Sequence, residues 1–149
     1  MKRIDYYTVK LVKEKGMLYD MPNKTIRSPE DAYRLGNQIF SFEEKTKEYF
    51  CILTLNTKNV IIGAHVIHIG SINASIVHPR ESFQQAILNN AASIVMLHNH
   101  PSGDPTPSRE DIEVTKRFAE AGKLMGIEIL DHIIAGDNRY TSLKEKGYV

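Results

Sequence analysis

The segment HNHPSGDPTPSRED, residues 98–111, follows an apolar Ile-Val-Met-Leu run that predicts a buried strand. Side chains two apart in a strand point to the same side, so His98 and His100 could bind one ion together. The chain then turns through Pro and Gly, and Ser108 and Asp111 follow where a helix should begin. Two imidazoles and one carboxylate are a usual ligand set of a hydrolytic zinc site, whose fourth position holds water.

The end of the same segment is also typical of a plain helix N-terminus, with Ser108 as N-cap and Asp111 as the third helical residue. Caps of this kind are far commoner than metal ligands, and a His-x-His pair alone is weak support for a metal site. The two interpretations are compatible, because a capping turn also holds an aspartate in a fixed place. The combination is therefore more specific than its parts.

Length and composition indicate one ordinary globular domain. The chain has 149 residues, 42% hydrophobic and 25% charged, which is enough for a sizeable core. The net charge of +1 gives no general electrostatic reason to bind nucleic acid or membranes. Residues 1–27 are more basic, with seven Lys and Arg against three acidic residues, and could form a contact surface or a solvated segment.

Cysteine use and hydropathy exclude several classes of protein. Cys51 is the single cysteine, so thiolate-rich zinc sites of finger and ribbon type cannot form within the chain, and a buried structural thiol is expected. No apolar run approaches the roughly 20 residues that span a bilayer. The N-terminus lacks the apolar core of a signal peptide. We therefore expect a cytoplasmic protein without membrane contact.

Hydrophobic periodicity predicts an N-terminal extension, residues 1–27, formed by a β-hairpin and a linker, followed by one domain at residues 28–149. The hairpin strands would lie at residues 4–12 and 17–19. The predicted elements of the domain are a helix (28–47), a strand hairpin (49–55 and 60–69), a short extended piece (73–77), a helix from 79, a strand (92–97), a helix (108–124), a strand (127–134) and a short pairing segment (139–141). This α-β-β-α-β-α-β order predicts an α/β fold with a mixed β-sheet flanked by helices.

The His98-x-His100-Pro101 and Ser108-x-x-Asp111 motifs resemble the JAMM/MPN+ (JAB) metalloprotease signature in residue types and spacing. The longer string at residues 98–105, with VHPRE at 77–81 and DHII at 131–134, is similar to the RadC branch of that superfamily. The resemblance covers the chain from about residue 28. It implies a cytidine-deaminase-like α-β-α sandwich in which His98, His100 and Asp111 hold Zn²⁺; the family spacing disfavours Asp104 as a ligand.

The resemblance also implies a general base in an E-x-x-(small)-x-L frame just before the first core strand. Glu48 fits this frame, with Glu81 as the second candidate. Glu48 could instead be a charged residue that ends the preceding helix. Ser108 would stabilise the developing oxyanion with its hydroxyl group, in addition to any capping role.

Two functions follow from these motifs. The first is a zinc-dependent hydrolase of JAMM type that cleaves a peptide, isopeptide or related amide bond. The alternative is a non-enzymatic accessory protein in DNA repair or mobile-element biology, because RadC-like proteins are commonly labelled DNA repair proteins. Longer RadC proteins carry a helix-hairpin-helix-type region, for which 27 residues are too few, so we expect weak direct DNA binding at most. Nuclease or phosphoesterase action is disfavoured, because such sites more often use two metals and clustered carboxylates. Substrate and oligomeric state are left open.

The remaining histidines are expected to be structural. His132, in an apolar strand, should be buried and hydrogen-bonded, with orientation of a metal ligand as a second possibility. His78 precedes a proline at a helix start. His65 and His68 are three apart in a strand, which predicts that they face opposite sides and cannot share a metal.

Overall fold

A computed structural model describes residues 1–149 and confirms the predicted order of elements. The chain contains five strands and three α-helices. Their bounds are α1 (Pro29–Phe40), β1 (Tyr49–Leu55), β2 (Ile61–Ile69), α2 (Pro79–Leu88), β3 (Ser93–Asn99), α3 (Arg109–Met125), β4 (Glu128–Ala135) and β5 (Tyr140–Ser142). A short 3-10 turn, Phe42–Glu44, lies between α1 and β1.

The strands form one mixed sheet in the order β2-β1-β3-β4-β5, in which only β3 and β4 run parallel. Each face of the sheet buries an apolar cluster. On one face, Leu35 of α1 packs with Leu97 of β3. On the other face, Phe83 of α2 and Phe118 of α3 pack with Met96 of β3. The α/β class and the α-β-α sandwich expected from the sequence are confirmed.

The first helix is shorter than predicted. Ser28 caps it by accepting a hydrogen bond from the Asp31 backbone, with Pro29 at the first helical position. The helix ends at Phe40 rather than near residue 47, because Ser41 adopts a left-handed conformation (φ 53°) and bonds back to the Asn37 carbonyl. Residues 42–48 instead lead into β1, and this brings Glu48 to the end of the strands where His98 and His100 lie.

A bulge in β2 corrects the expectation for two histidines. His68 lies opposite Phe50 and His65 opposite Ile52, with a register shift between the two pairs. Opposed residues of an antiparallel pair share a face, so His65 and His68 lie on the same side of the sheet. The prediction that they face opposite sides is wrong, since an inserted residue reverses the alternation. They nevertheless belong to no cluster of three metal-binding side chains.

The predicted N-terminal hairpin does not form, because residues 1–24 contain neither helix nor strand. Tyr6 and Leu18, on the two expected strands, are almost fully exposed and bury no apolar face. An isolated hairpin without such a face is marginal in water. Residues 73–77 likewise turn rather than extend, since the Asn73 side chain accepts hydrogen bonds from the next backbone groups. None of the helices combines the length and apolar character needed to cross a bilayer.

Candidate metal centre

The end of β3 and the start of α3 bring three side chains to one point. His98 is the second-last residue of the buried strand β3, His100 directly follows the strand, and Asp111 is the third residue of α3. The connecting loop folds back because the Gly103 backbone bonds to the His100 carbonyl and accepts from Asp137. His98 and Asp111 are buried, and His100 is the most accessible of the three.

The distances between the three side chains fit a small cation. His98 Nε2 and His100 Nε2 lie 3.0 Å apart. Each nitrogen is 3.2 Å from a different oxygen of the Asp111 carboxylate. A tetrahedral zinc site with bonds of about 2.0–2.1 Å has ligand atoms about 3.3 Å apart. The three groups are therefore preassembled at almost the separation that zinc requires, and their nitrogen and oxygen donors suit it.

The outer nitrogen of each ring already has a partner away from the centre. His100 Nδ1 lies 2.8 Å from the carbonyl oxygen of Asp104, which can only accept a hydrogen bond. Nδ1 must therefore carry the proton, and neutral His100 presents an unprotonated Nε2 to the centre. His98 Nδ1 lies 2.7 Å from Nε2 of His132. Asp104 contributes its backbone here, while its carboxylate accepts from Thr106.

The centre is electrostatically matched to a positive charge. Burial alone would raise the pKa of Asp111, but the hydrogen bonds that His100 and His98 donate when their Nε2 atoms are protonated hold it well below its usual range. Burial alone would lower the pKa of His100, yet bonding to Asp111 and to the Asp104 carbonyl raises it overall. The carboxylate is thus ionised at neutral pH, and it favours a proton or another cation on the imidazole side.

Asp111 takes part in the cap of α3, and its carboxylate also contacts His98 and His100. Ser108 Oγ accepts from the Asp111 backbone at 3.0 Å, and the Ser108 backbone donates to Asp111 Oδ2 at 2.8 Å, which completes a capping box. The cap fixes the carboxylate whose other contacts face the two histidines. Ser108 Oγ donates to no protein group, so its proton is available, and its role toward an oxyanion stays a prediction.

Glu48 lies directly before β1, on the side of the sheet that carries the centre. Phe50 is paired with His98, and residues two apart in a strand share a face, so Glu48 continues the row that faces the histidines. Its negative charge contributes to the raised pKa of His100. Glu48 does not end a helix, because α1 stops at Phe40. Glu81 lies in the exposed first turn of α2, where its charge acts on His78.

Asn99 is a residue of the site that the sequence interpretation missed. Its buried side chain accepts from the Tyr49 backbone at 2.7 Å and donates to the Lys47 carbonyl at 3.0 Å. These bonds hold the backbone on both sides of Glu48. The sequence did contain a signal for such a residue, because Asn99 is a polar residue between the two histidines at the end of a buried strand and points to the opposite face.

The expectation that His132 is buried and hydrogen-bonded is confirmed. The ring is fully buried, bonds to Thr115 Oγ and to His98, and stands edge-on to Phe50. Burial lowers the pKa of His132 well below its usual range, so the ring is neutral. His78 is structural as predicted, because its Nδ1 accepts from the Arg80 backbone and caps α2.

Comparison with known proteins finds relatives that are named UPF0758 proteins. A UPF0758 protein of Geobacillus sp. is 60% identical over 124 residues, which are 83% of this chain and 54% of that protein. A UPF0758 protein of Methanosarcina mazei is 56% identical over 128 residues, 86% of this chain and 55% of that protein. One of Bacillus cereus is 58% identical over 125 residues, 84% and 55% of the two chains. The chain spans about half the length of these curated relatives, whose names state no activity.

The family assignment rests on most of the chain. Residues 26–148 match the family model described as a RadC-like JAB domain. The matched region contains every strand and helix of the sandwich and the whole His98, His100 and Asp111 cluster. The chain therefore belongs to the RadC-like JAB domain family.

Proposed function

We propose that the protein is a zinc-dependent hydrolase that cleaves a peptide, isopeptide or related amide bond. The observation that carries this proposal is the convergence of His98 Nε2, His100 Nε2 and the Asp111 carboxylate within 3.2 Å of one another. The carboxylate of Glu48 belongs to the same face of the sheet. Three protein ligands with an open fourth position are the arrangement of catalytic rather than structural zinc sites.

His98, His100 and Asp111 would hold the ion, which would lower the pKa of a water molecule to roughly neutral pH. Glu48 would accept the proton of the attacking water as a general base. When the C–N bond breaks, the same carboxylic acid would return this proton to the leaving nitrogen. Asn99 supports this role, because it anchors the backbone on both sides of Glu48.

Ser108 would act on the substrate carbonyl. Its oxygen is already oriented by the Asp111 backbone N–H, and its own proton is free to point outward. A hydroxyl donor directed at the developing oxyanion typically contributes a few kcal/mol to the transition state. The Ser108 side chain would therefore both cap α3 and act on the substrate carbonyl.

The first experiment is metal analysis of protein purified without a histidine tag. Wild-type protein should contain about one zinc per chain, and His100→Ala should lose it, as expected of a three-ligand site. His68→Ala is the matched control, because His68 lies on β2 outside the cluster. No binding of zinc by wild-type protein, even after reconstitution, would refute the hydrolase and favour a partner-binding accessory role.

The second experiment tests catalysis without a known substrate. Peptide and isopeptide mixtures are incubated in ¹⁸O-labelled water, because hydrolysis of any amide places the label in the new carboxylate. Wild-type protein should incorporate label, and Glu48→Gln should keep zinc but lose about 10²–10⁴-fold in rate. Glu81→Gln, an exposed glutamate of α2, is the control and should retain the wild-type rate. Equal loss in both variants would contradict the role of Glu48.

A further inference from the structure

A chain of three buried hydrogen bonds connects α3 to the first histidine of the centre. Thr115 Oγ lies 2.7 Å from the carbonyl oxygen of Asp111 and 2.6 Å from Nδ1 of His132. Nε2 of the same ring lies 2.7 Å from Nδ1 of His98. Thr115, His132 and His98 are all fully buried, so water does not complete any of these bonds.

The direction of each bond follows from counting protons. A hydroxyl group has one proton, and the Asp111 carbonyl can only accept, so the Thr115 proton points to that carbonyl. His132 Nδ1 must then donate to Thr115 Oγ. A neutral imidazole has a single N–H, which leaves His132 Nε2 as an acceptor. His98 Nδ1 must therefore donate. In the neutral ring, the form that binds a metal, His98 Nε2 is then left unprotonated.

We propose that Thr115 and His132 are positioning residues that set the tautomer of His98 and so aim its Nε2 lone pair at the metal. The inference rests on the metal site of the proposed function. His100 needs no such device, because the carbonyl of Asp104 can only accept. His98 does need one, since an imidazole partner can donate or accept, and Thr115 removes that ambiguity.

The opposite arrangement would block the site. If His132 carried its proton on Nε2, it would donate to His98 Nδ1, and the His98 proton would move to Nε2. That nitrogen faces His100 and Asp111, at 3.0 and 3.2 Å. A proton there would have to leave before a metal could bind. Thr115 and His132 thus keep the Nε2 lone pair of His98 available to a metal, without a carboxylate partner on Nδ1.

The tautomers can be read directly by ¹⁵N NMR of the histidine rings. In metal-free wild-type protein at alkaline pH, where imidazole rings are neutral, His98 and His132 should both carry the proton on Nδ1. Thr115→Val keeps the shape of the side chain but removes the hydroxyl, and it should convert His132 wholly or partly to the Nε2–H form. Thr115→Ser keeps the hydroxyl and should retain the wild-type tautomers. An Nε2–H form of His132 in wild-type protein would overturn the proposal.

Zinc affinity provides the second readout, measured by competition with a chelator. Loss of an outer-sphere partner typically weakens metal binding 10–100-fold, so Thr115→Val should show a loss in this range and Thr115→Ser about wild-type affinity. Wild-type affinity in Thr115→Val with an altered tautomer would also overturn the proposal. The two proposals fail separately, because the tautomers are measured without metal, whereas the hydrolase fails if wild-type protein binds no zinc.

Discussion

The substitution Asn99→Ala tests whether one buried amide supports the backbone on both sides of Glu48. Asn99 is 3% exposed, and its side chain bonds to the Tyr49 N–H and to the Lys47 carbonyl. Removing it leaves one donor and one acceptor of the backbone without a partner. Each such group costs about 1–3 kcal/mol when water is excluded, and both are only partly buried here. We therefore expect a loss of about 2–4 kcal/mol in the free energy of unfolding.

The matched control is Asn73→Ala. The Asn73 side chain also makes two hydrogen bonds to backbone groups, at 2.9 and 3.0 Å, but on an exposed turn. Water can replace those bonds, so the loss should stay below about 1 kcal/mol. The comparison holds the residue type and the number of bonds constant. The bonds differ in burial and in range, since those of Asn73 are local and exposed, whereas those of Asn99 reach another strand.

The assay is urea unfolding in the presence of a chelator, because bound zinc would add its own stabilisation. The slope of free energy against urea should be unchanged, since the same surface is exposed on unfolding. A folded domain of this size typically has about 5–15 kcal/mol of stability, so Asn99→Ala should still fold. A loss no larger than that of Asn73→Ala would refute the structural role of Asn99.

Three further predictions concern protonation and close packing. The zinc affinity should fall by up to about tenfold per pH unit below the raised pKa of His100, because zinc must then displace a proton. Chelator competition between about pH 5.5 and 8 measures the affinity, and an affinity that does not change with pH would contradict the prediction. Burial raises the pKa of Cys51 to about 12, so iodoacetamide at about pH 8 should label it only after unfolding, as judged by mass spectrometry. Gly122→Ala places a Cβ 2.6 Å from the Ile127 carbonyl oxygen and should lower the free energy of unfolding by about 1–3 kcal/mol, as measured by thermal or urea unfolding. Gly16→Ala is the control, because the space around Gly16 is open. Equal effects of the two substitutions would contradict the packing argument.

Local signals in the sequence predicted most of the domain well. Ser28 with Pro29 marked the start of α1, and the apolar run before His98 marked β3. Expectations were wrong where a single residue changed the local geometry. The left-handed Ser41 ended α1 early, and the bulge in β2 placed His65 and His68 on one face. Neither event has a reliable local signature, because neighbouring strands and helices decide the energy of such a conformation.

The sequence by itself determined the order of the elements and singled out His98, His100 and Asp111 as the candidate metal-binding set. Residue type and spacing suffice there, because a strand with period 2 and a capped helix start are local structures. Only the tertiary structure placed Asn99 against the backbone around Glu48, some 50 residues away, and stacked Thr115 and His132 behind His98. These contacts join α3, β4, β3 and β1, so they exist only after the sheet has assembled, and no pattern along the chain records which side chains then meet.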